Sequence, residues 1–186
     1  MGRGEGKGMG GHQSSTMIND SWFTPIEILQ ALGEFDLDPC TSHSRPWNTA
    51  KRHFALPEQN GLALPWEGRV WLNPPYGRDT GTWLKKMVDH GNGIALIFAR
   101  TETEDWHEHI WKRSPGILFL RGRLTFYLEN GKRAAHNSGA PSALVSYGQE
   151  NLEVLLKCGL PGALVLASRI VELCDTSRSQ IEFVGI

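Results

Sequence analysis

The sequence predicts an α/β domain built on a mostly parallel, doubly wound sheet, and three observations carry that expectation. Stretches of strand character alternate with stretches of helical periodicity, the pattern of successive crossover units. Residues 93–99 (GIALIFA) form a continuous apolar run, as a strand buried on both faces requires. A chain of 186 residues with 40% hydrophobic content has enough material for one full core.

Taken in order, residues 1–16 hold six glycines and almost no apolar side chains, so they read as a disordered tail. Residues 17–186 then form a single domain. Thr24 and Glu27 have the spacing of a capping box, with Pro25 at the first helical position. Ile28, Leu29 and Leu32 follow on one helical face, and Gly33 ends the helix. Phe35 to Cys40 reads as a short strand with alternating acids, Asp36 and Asp38. Polar, irregular sequence follows from Ser42 to Gly68, with a short helix expected near Asn48–His53 and a turn at Gln59–Leu62.

Strand 69–72 comes next. Asp79 or Thr80 caps a helix whose buried stripe is Trp83, Leu84, Met87 and Val88, stopped by Gly91. After the 93–99 strand, Thr101 with Glu104 offers a second capping box, opening a helix with Trp106, Ile110 and Trp111 inward. Ile117–Leu120 and Leu124–Leu128 read as strands around Arg121-Gly122-Arg123, and Asn130-Gly131 as a reverse turn. Ser142–Tyr147 is a strand, 149–157 a helix stopped at Gly159, Gly162–Ala167 a strand, and 181–184 an edge strand.

The stretch with chemistry in it is Trp71-Leu72-Asn73-Pro74-Pro75-Tyr76-Gly77. An apolar strand breaks at two consecutive prolines, which donate no backbone hydrogen bond and hold the loop stiff. Ligands of open α/β sheets bind at such carboxyl ends. The loop presents an amide oxygen (Asn73), a carbonyl (Pro74) and a planar ring (Tyr76). An exocyclic amine such as that of adenine is a poor nucleophile, because its lone pair is delocalised into the ring. Two neutral acceptors taking its two N–H bonds would turn that lone pair toward a methyl donor, while Tyr76 stacks on the base. Asn73, Pro74, Pro75 and Tyr76 are therefore the candidate catalytic residues. Asp36 and Asp38 could accept hydrogen bonds from the α-amino group of an amino-acid-like cofactor; a surface strand with outward acids explains the same alternation.

Net charge is −1, so any nucleic-acid surface must be local. Between Ile110 and His136 stand six basic residues and one acid, a local +5. Arg121, Arg123, Lys132 and Arg133 from this stretch, with Arg78 and Arg100, are the candidates for phosphate contact. Three widely spaced cysteines argue against a disulfide framework and for a reducing cytosol. No apolar run approaches the ~20 residues of a membrane span, and no leader is visible, so a cytoplasmic protein is expected. Cys40 with His43, and His107 with His109, are the close metal-ligand spacings among seven histidines; neither has a second pair nearby, and no metal is expected.

Between about residues 20 and 148 the chain resembles the phage-type DNA N6-adenine methyltransferases, the Dam-like family of phages and prophages. The resemblance rests on Trp22-x-Thr24-Pro25, Phe35 to Cys40, Asn48 with Ala50 and Lys51, and Gly61-Leu62 before Trp66. It continues through Val70 to Gly77, Ala99-Arg100-Thr101-x-Thr103, Phe119 to Phe126, and Ala140-Pro141-Ser142. It implies a Rossmann-like fold using S-adenosylmethionine, transferring methyl to adenine N6 in DNA, phage or prophage encoded and protecting DNA against host restriction. Asp38-Pro39-Cys40 would stand at the donor site, with Trp22, Thr24 and Pro25 closing over the methionine end and Asn60 or Glu58 at the ribose or adenine end. Arg121 and Arg123 would fall on the DNA side.

The chain departs from the general methyltransferase pattern after Cys40, where Thr-Ser-His-Ser replaces a glycine-rich turn. There is no room for a separate target-recognition domain, so sequence choice falls to loop 121–140 or to a second subunit of a homodimer. The same tetrapeptide would also serve cytosine N4, an RNA base or a protein glutamine. From another class, a catalytically silent DNA-binding or anti-restriction module remains the rival reading.

Overall fold

Seven strands form one sheet with helices on both faces, in a computed structural model that describes residues 22–55 and 57–166. The predicted tail (1–16) and the 181–184 strand lie outside the described residues. The elements are α1 (Ile26–Leu32), β1 (Leu37–Thr41), β2 (Arg52–Ala55), β3 (Val70–Leu72), α2 (Thr80–His90), β4 (Gly93–Phe98), α3 (Glu104–Trp106), β5 (Gly116–Leu120), β6 (Ser142–Tyr147), α4 (Gln149–Lys157) and β7 (Gly162–Leu166). A π-helical turn, His107–Trp111, continues α3.

The strand order is β2-β1-β3-β4-β6-β5-β7. The β1–β2, β1–β3 and β3–β4 pairings are parallel, but β4–β6, β5–β6 and β5–β7 are antiparallel. The expected mostly parallel sheet is therefore corrected to a mixed one. Alternation of strand and helix along a chain does not fix direction. Residues 121–141 hold no helix, so β6 returns antiparallel beside β5, as strands joined without a crossover can. The β6–α4–β7 unit does cross over, but it steps across β5 and leaves that strand flanked by two antiparallel neighbours.

Alternating side chains of the buried strands feed two cores. Val70, Leu72, Ala95, Ile97 and Val145 meet Trp83, Leu84 and Met87 of α2 with Trp106 and Ile110. Trp71, Ile94, Leu96 and Leu144 meet Ile28, Leu29 and Leu32 of α1 and Leu155 of α4. Near-continuous apolar strands are what a sheet covered on both faces demands, and β3 is fully buried along its length.

Three local expectations are corrected. Arg52–Ala55 is a strand rather than a helix, because Arg52 and His53 pair with Leu37 and Asp38 of β1. Leu124–Leu128 is not a strand; Tyr127 makes only isolated bridges to Phe23 and Arg133. Neither capping box forms: α1 and α3 lack side-chain cap bonds, and the Thr103 hydroxyl donates to the Arg100 carbonyl at 2.9 Å. Gly91 does end α2 in the left-handed region that its lack of a side chain permits.

The amino end of the sheet is tied shut. Arg69, next to β3, donates to Asn151 Oδ1 at 2.7 Å and to the carbonyls of Leu32 and Glu34 at 3.0 and 2.8 Å, and lies over the Phe35 ring. The carboxyl end is where space is left.

Candidate active site

Strands β2, β1, β3 and β4 run parallel, so their carboxyl ends share one edge. From β1 the chain moves outward to β2, then returns past β1 to place β3 on its other side. That reversal is a topological switch point, where open α/β sheets bind ligands. A cavity of about 340 Å³ opens there. Asp38, Pro39 and Cys40 from β1 line it, as do Asn73, Pro74, Pro75 and Tyr76 following β3, and Trp22 and Thr24 ahead of α1.

The loop after β3 is pinned from several sides. Cys40 Sγ donates to the Asn73 carbonyl at 3.3 Å, and the Thr80 hydroxyl donates to the Pro75 carbonyl at 2.9 Å. Thr80 also accepts the Gly77 N–H at 3.0 Å, so its side chain organises the loop rather than capping α2. The Asn73 amide is oriented at both ends: Nδ2 donates to the Trp22 carbonyl at 3.1 Å, and Oδ1 accepts from the Tyr76 hydroxyl at 3.2 Å. Burial raises the Tyr76 phenol above its usual range, and the neighbouring Cys40 adds to this, which keeps it a donor. Its ring lies flat on Phe98, with centroids 3.9 Å apart and planes 7° apart.

Asp38 is 4% exposed and its carboxyl is pushed up to about 6, chiefly by burial. The Thr49 hydroxyl and the Cys40 N–H (3.2 Å) both donate to it and hold the value lower than burial alone would. His53 accepts the N–H groups of Thr49 and Ala50, each at 3.3 Å, and burial lowers it to about 4. A neutral imidazole thus holds the turn that delivers Thr49. Thr24 is 1% exposed, and its buried hydroxyl has no hydrogen-bond partner among the described residues. A buried hydroxyl and a buried carboxylate at one cavity wall leave polar capacity for a ligand.

Other predicted residues are placed elsewhere. Asp36 lies at the amino end of β1, accepting the Arg69 N–H at 2.8 Å and Lys51 Nζ at 3.1 Å, both of which lower its carboxyl. It does not line the cavity, because alternate acids around a strand start are several ångströms apart along the chain. Pro25 and Asn60 do not line it either; Asn60 Oδ1 accepts the Leu62 N–H at 3.0 Å. Glu58 pairs with His43 at 2.5 Å. Among the described residues no group of three His, Cys, Asp or Glu side chains could hold a metal ion.

Residues not anticipated include Thr49, Phe54, Gln59 and Gly61. Gly61 abuts the Pro39 carbonyl so closely that a Cβ would fall 1.8 Å from its oxygen. Lys86 of α2 holds this loop by donating to the carbonyls of Gly61, Leu62 and Leu64 at 3.0, 2.8 and 2.6 Å.

The middle of the basic stretch, Tyr127 to Glu129, packs against residues of the cavity wall. Phe23 and Tyr127 exchange two backbone hydrogen bonds of 2.9 Å, and the Ser42 hydroxyl donates to Glu129 at 2.8 Å. Trp47 packs edge-on against Tyr127. Arg121, Arg123, Lys132 and Arg133 are all exposed on this segment. Arg78 and Arg100, also exposed, flank a second cavity on the Phe98 side of Tyr76.

Among known proteins, the chain is similar to a DNA N-6-adenine-methyltransferase of Haemophilus phage HP1, 25% identical over 138 residues, spanning 69% of this chain and 78% of that protein. A second similar protein, the DNA N-6-adenine-methyltransferase of Escherichia phage T1, is 27% identical over 133 residues; the match spans 67% of this chain and about half, 54%, of the T1 protein. No solved structure matches the chain. The family model described as DNA N-6-adenine-methyltransferase (Dam) matches residues 12–153, and the chain belongs to that family.

Proposed function

We propose that the chain is an S-adenosylmethionine-dependent methyltransferase acting on the N6 amine of adenine in DNA. The observation that carries this reading is the Asn73 amide, fixed by Trp22 and Tyr76 at the wall of the switch-point cavity, with a family of adenine methyltransferases around it. The parallel β2-β1-β3-β4 block with helices on both faces supports a Rossmann-like methyltransferase fold, read as one domain over residues 17–186.

The cavity's donor set fits the cofactor. Asp38 and Thr24 would hold the amino-acid end, with Trp22, Pro39 and Cys40 around it; Gly61 leaves backbone rather than side chain at the wall. When bound, S-adenosylmethionine supplies an electrophilic sulfonium methyl group. Everything else is the work of this chain. The target adenine leaves the stack, at a cost of roughly a few kcal/mol. Tyr76 receives its ring face, while Asn73 Oδ1 and the Pro74 carbonyl accept its two N–H bonds. Oδ1 has two lone pairs, so the Tyr76 hydroxyl and the substrate amine can share it. Held this way the nitrogen pyramidalises, and its lone pair leaves the ring system and faces the cavity. No acid or base is required to raise its reactivity; orientation and fixed dipoles do so, and the proton the amine sheds once methylated is lost to water.

The exposed basic segment 121–133 would take phosphates at the rim, with Arg78 and Arg100 on the other side of Tyr76. Sequence choice falls to loop 121–140 or to a second copy of the chain. A role in marking phage DNA against restriction in a bacterial cytoplasm accords with both relatives being phage proteins.

The test is incubation of the purified protein with unmethylated duplex and single-stranded DNA and methyl-labelled S-adenosylmethionine, followed by mass spectrometry of the nucleosides. N6-methyladenine is the expected product. N4-methylcytosine, label confined to protein, or no transfer contradicts the reading.

A further inference from the structure

Tyr76 is the wall common to two cavities, and the second, of about 420 Å³, has no part in the chemistry described above. Phe98 lies flat against the Tyr76 ring and lines the second cavity beside it, but not the first. Its own position is firmly set. Phe98 closes β4, registers against Ser142 of β6, and its carbonyl accepts the Arg100 N–H at 2.8 Å and the Trp106 indole N–H at 3.0 Å.

A phenol ring has two faces, and here one is occupied by Phe98 at stacking distance. The near-parallel geometry fixes the plane of Tyr76, and with it the arc along which the hydroxyl reaches Asn73 Oδ1. Without that backing, space on the far side would let the ring rotate away, and both the stacking surface and the amide's orientation would be lost.

We propose that Phe98 is a positioning residue for methyl transfer: it backs the Tyr76 ring so that a flipped base meets a preset stacking face and a preset Asn73 amide. This rests on the methyltransferase reading, but the residue is one that touches neither base nor cofactor. Aromatic rings outperform aliphatic side chains here because stacked pairs gain beyond the area they bury.

The experiment compares wild type, Phe98→Leu and Phe98→Tyr for kcat and KM on DNA, S-adenosylmethionine affinity by calorimetry, and thermal midpoint. Phe98→Met, flexible and of similar volume, replaces the leucine variant if that one does not fold. Expected is a loss of kcat/KM for DNA of roughly three- to tenfold in the aliphatic variant and rescue to within about twofold by tyrosine, with cofactor affinity unchanged. An aliphatic variant as active as wild type overturns the proposal, as does a tyrosine variant equally impaired or a parallel loss of cofactor affinity. A wild-type protein that methylates no DNA sinks the enzyme reading itself, whereas an active wild type with an indifferent Phe98→Leu sinks only the role given to Phe98.

Discussion

The Tyr76 hydroxyl donates to Asn73 Oδ1 at 3.2 Å, so the two residues of the loop with chemical character act as one unit. From the sequence only the ring face of Tyr76 had a role, which makes Tyr76→Phe mild. The hydrogen bond corrects that. Loss of a net bond worth about 1 kcal/mol predicts a kcat roughly fivefold lower in Tyr76→Phe, and a larger loss in Tyr76→Ala. Steady-state kinetics on DNA check this; a phenylalanine variant at wild-type kcat would leave the bond without a catalytic part.

Asp38 ties stability to pH. A carboxyl raised from 3.8 to about 6 favours the protonated form in the folded protein, so its contribution is fully present below pH 3.8 and lost as pH rises through about 6. The rise corresponds to about 3 kcal/mol. His53 runs the other way: lowered from 6.5 to about 4, it contributes above 6.5 and loses that contribution as pH falls through about 4. Asp38→Asn should therefore stabilise the unliganded protein at pH 8 while leaving pH 4 little changed, and should weaken S-adenosylmethionine binding. Denaturant unfolding and calorimetry at the two pH values read both effects. A variant that is destabilised at pH 8, or binds the cofactor undiminished, contradicts the role given to Asp38.

Lys86 is tied to three carbonyls of the loop that bears Gly61. Lys86→Met leaves those acceptors without their charged donor, for a predicted loss of about 1–3 kcal/mol in stability. Cofactor affinity should fall with it, while kcat at saturating cofactor is retained. Unchanged affinity in a folded variant would detach the loop from the site.

The basic rim predicts a salt signature. Removing Arg121 and Arg123 together should lower DNA affinity and reduce the slope of log K against log salt by about 0.9 for each phosphate no longer neutralised. Fluorescence titrations over a range of salt concentrations measure that slope; an unchanged slope would move DNA off this segment.

Much of the site was legible because its constraints are local. Two consecutive prolines after an apolar strand can only make a stiff loop, and Asp38-Pro39-Cys40 needs only a strand end to reach the same edge. What was hidden depends on partners distant in the chain. Strand direction is decided by which neighbour a strand finds, so β6 and β7 reversed a sheet expected to be mostly parallel. Arg52–Ala55 became a strand because β1 offered it an edge. Phe98 was one apolar residue in an apolar run, and Lys86 one charge on an amphipathic helix, until the fold brought a phenol ring and a loop to them. Asp36 differs from Asp38 by two positions, yet Arg69 and Lys51 hold it just ahead of the strand and away from the cavity.

The role of the Asn73 amide is tested most directly by methyl transfer to DNA in Asn73→Ala, with cofactor affinity taken on the same preparation. Fixed acceptors of this kind are worth about 100-fold or more in rate, so turnover should drop by that order while S-adenosylmethionine still binds. Turnover near the wild-type rate would contradict the assignment of the amide as the group that prepares the amine.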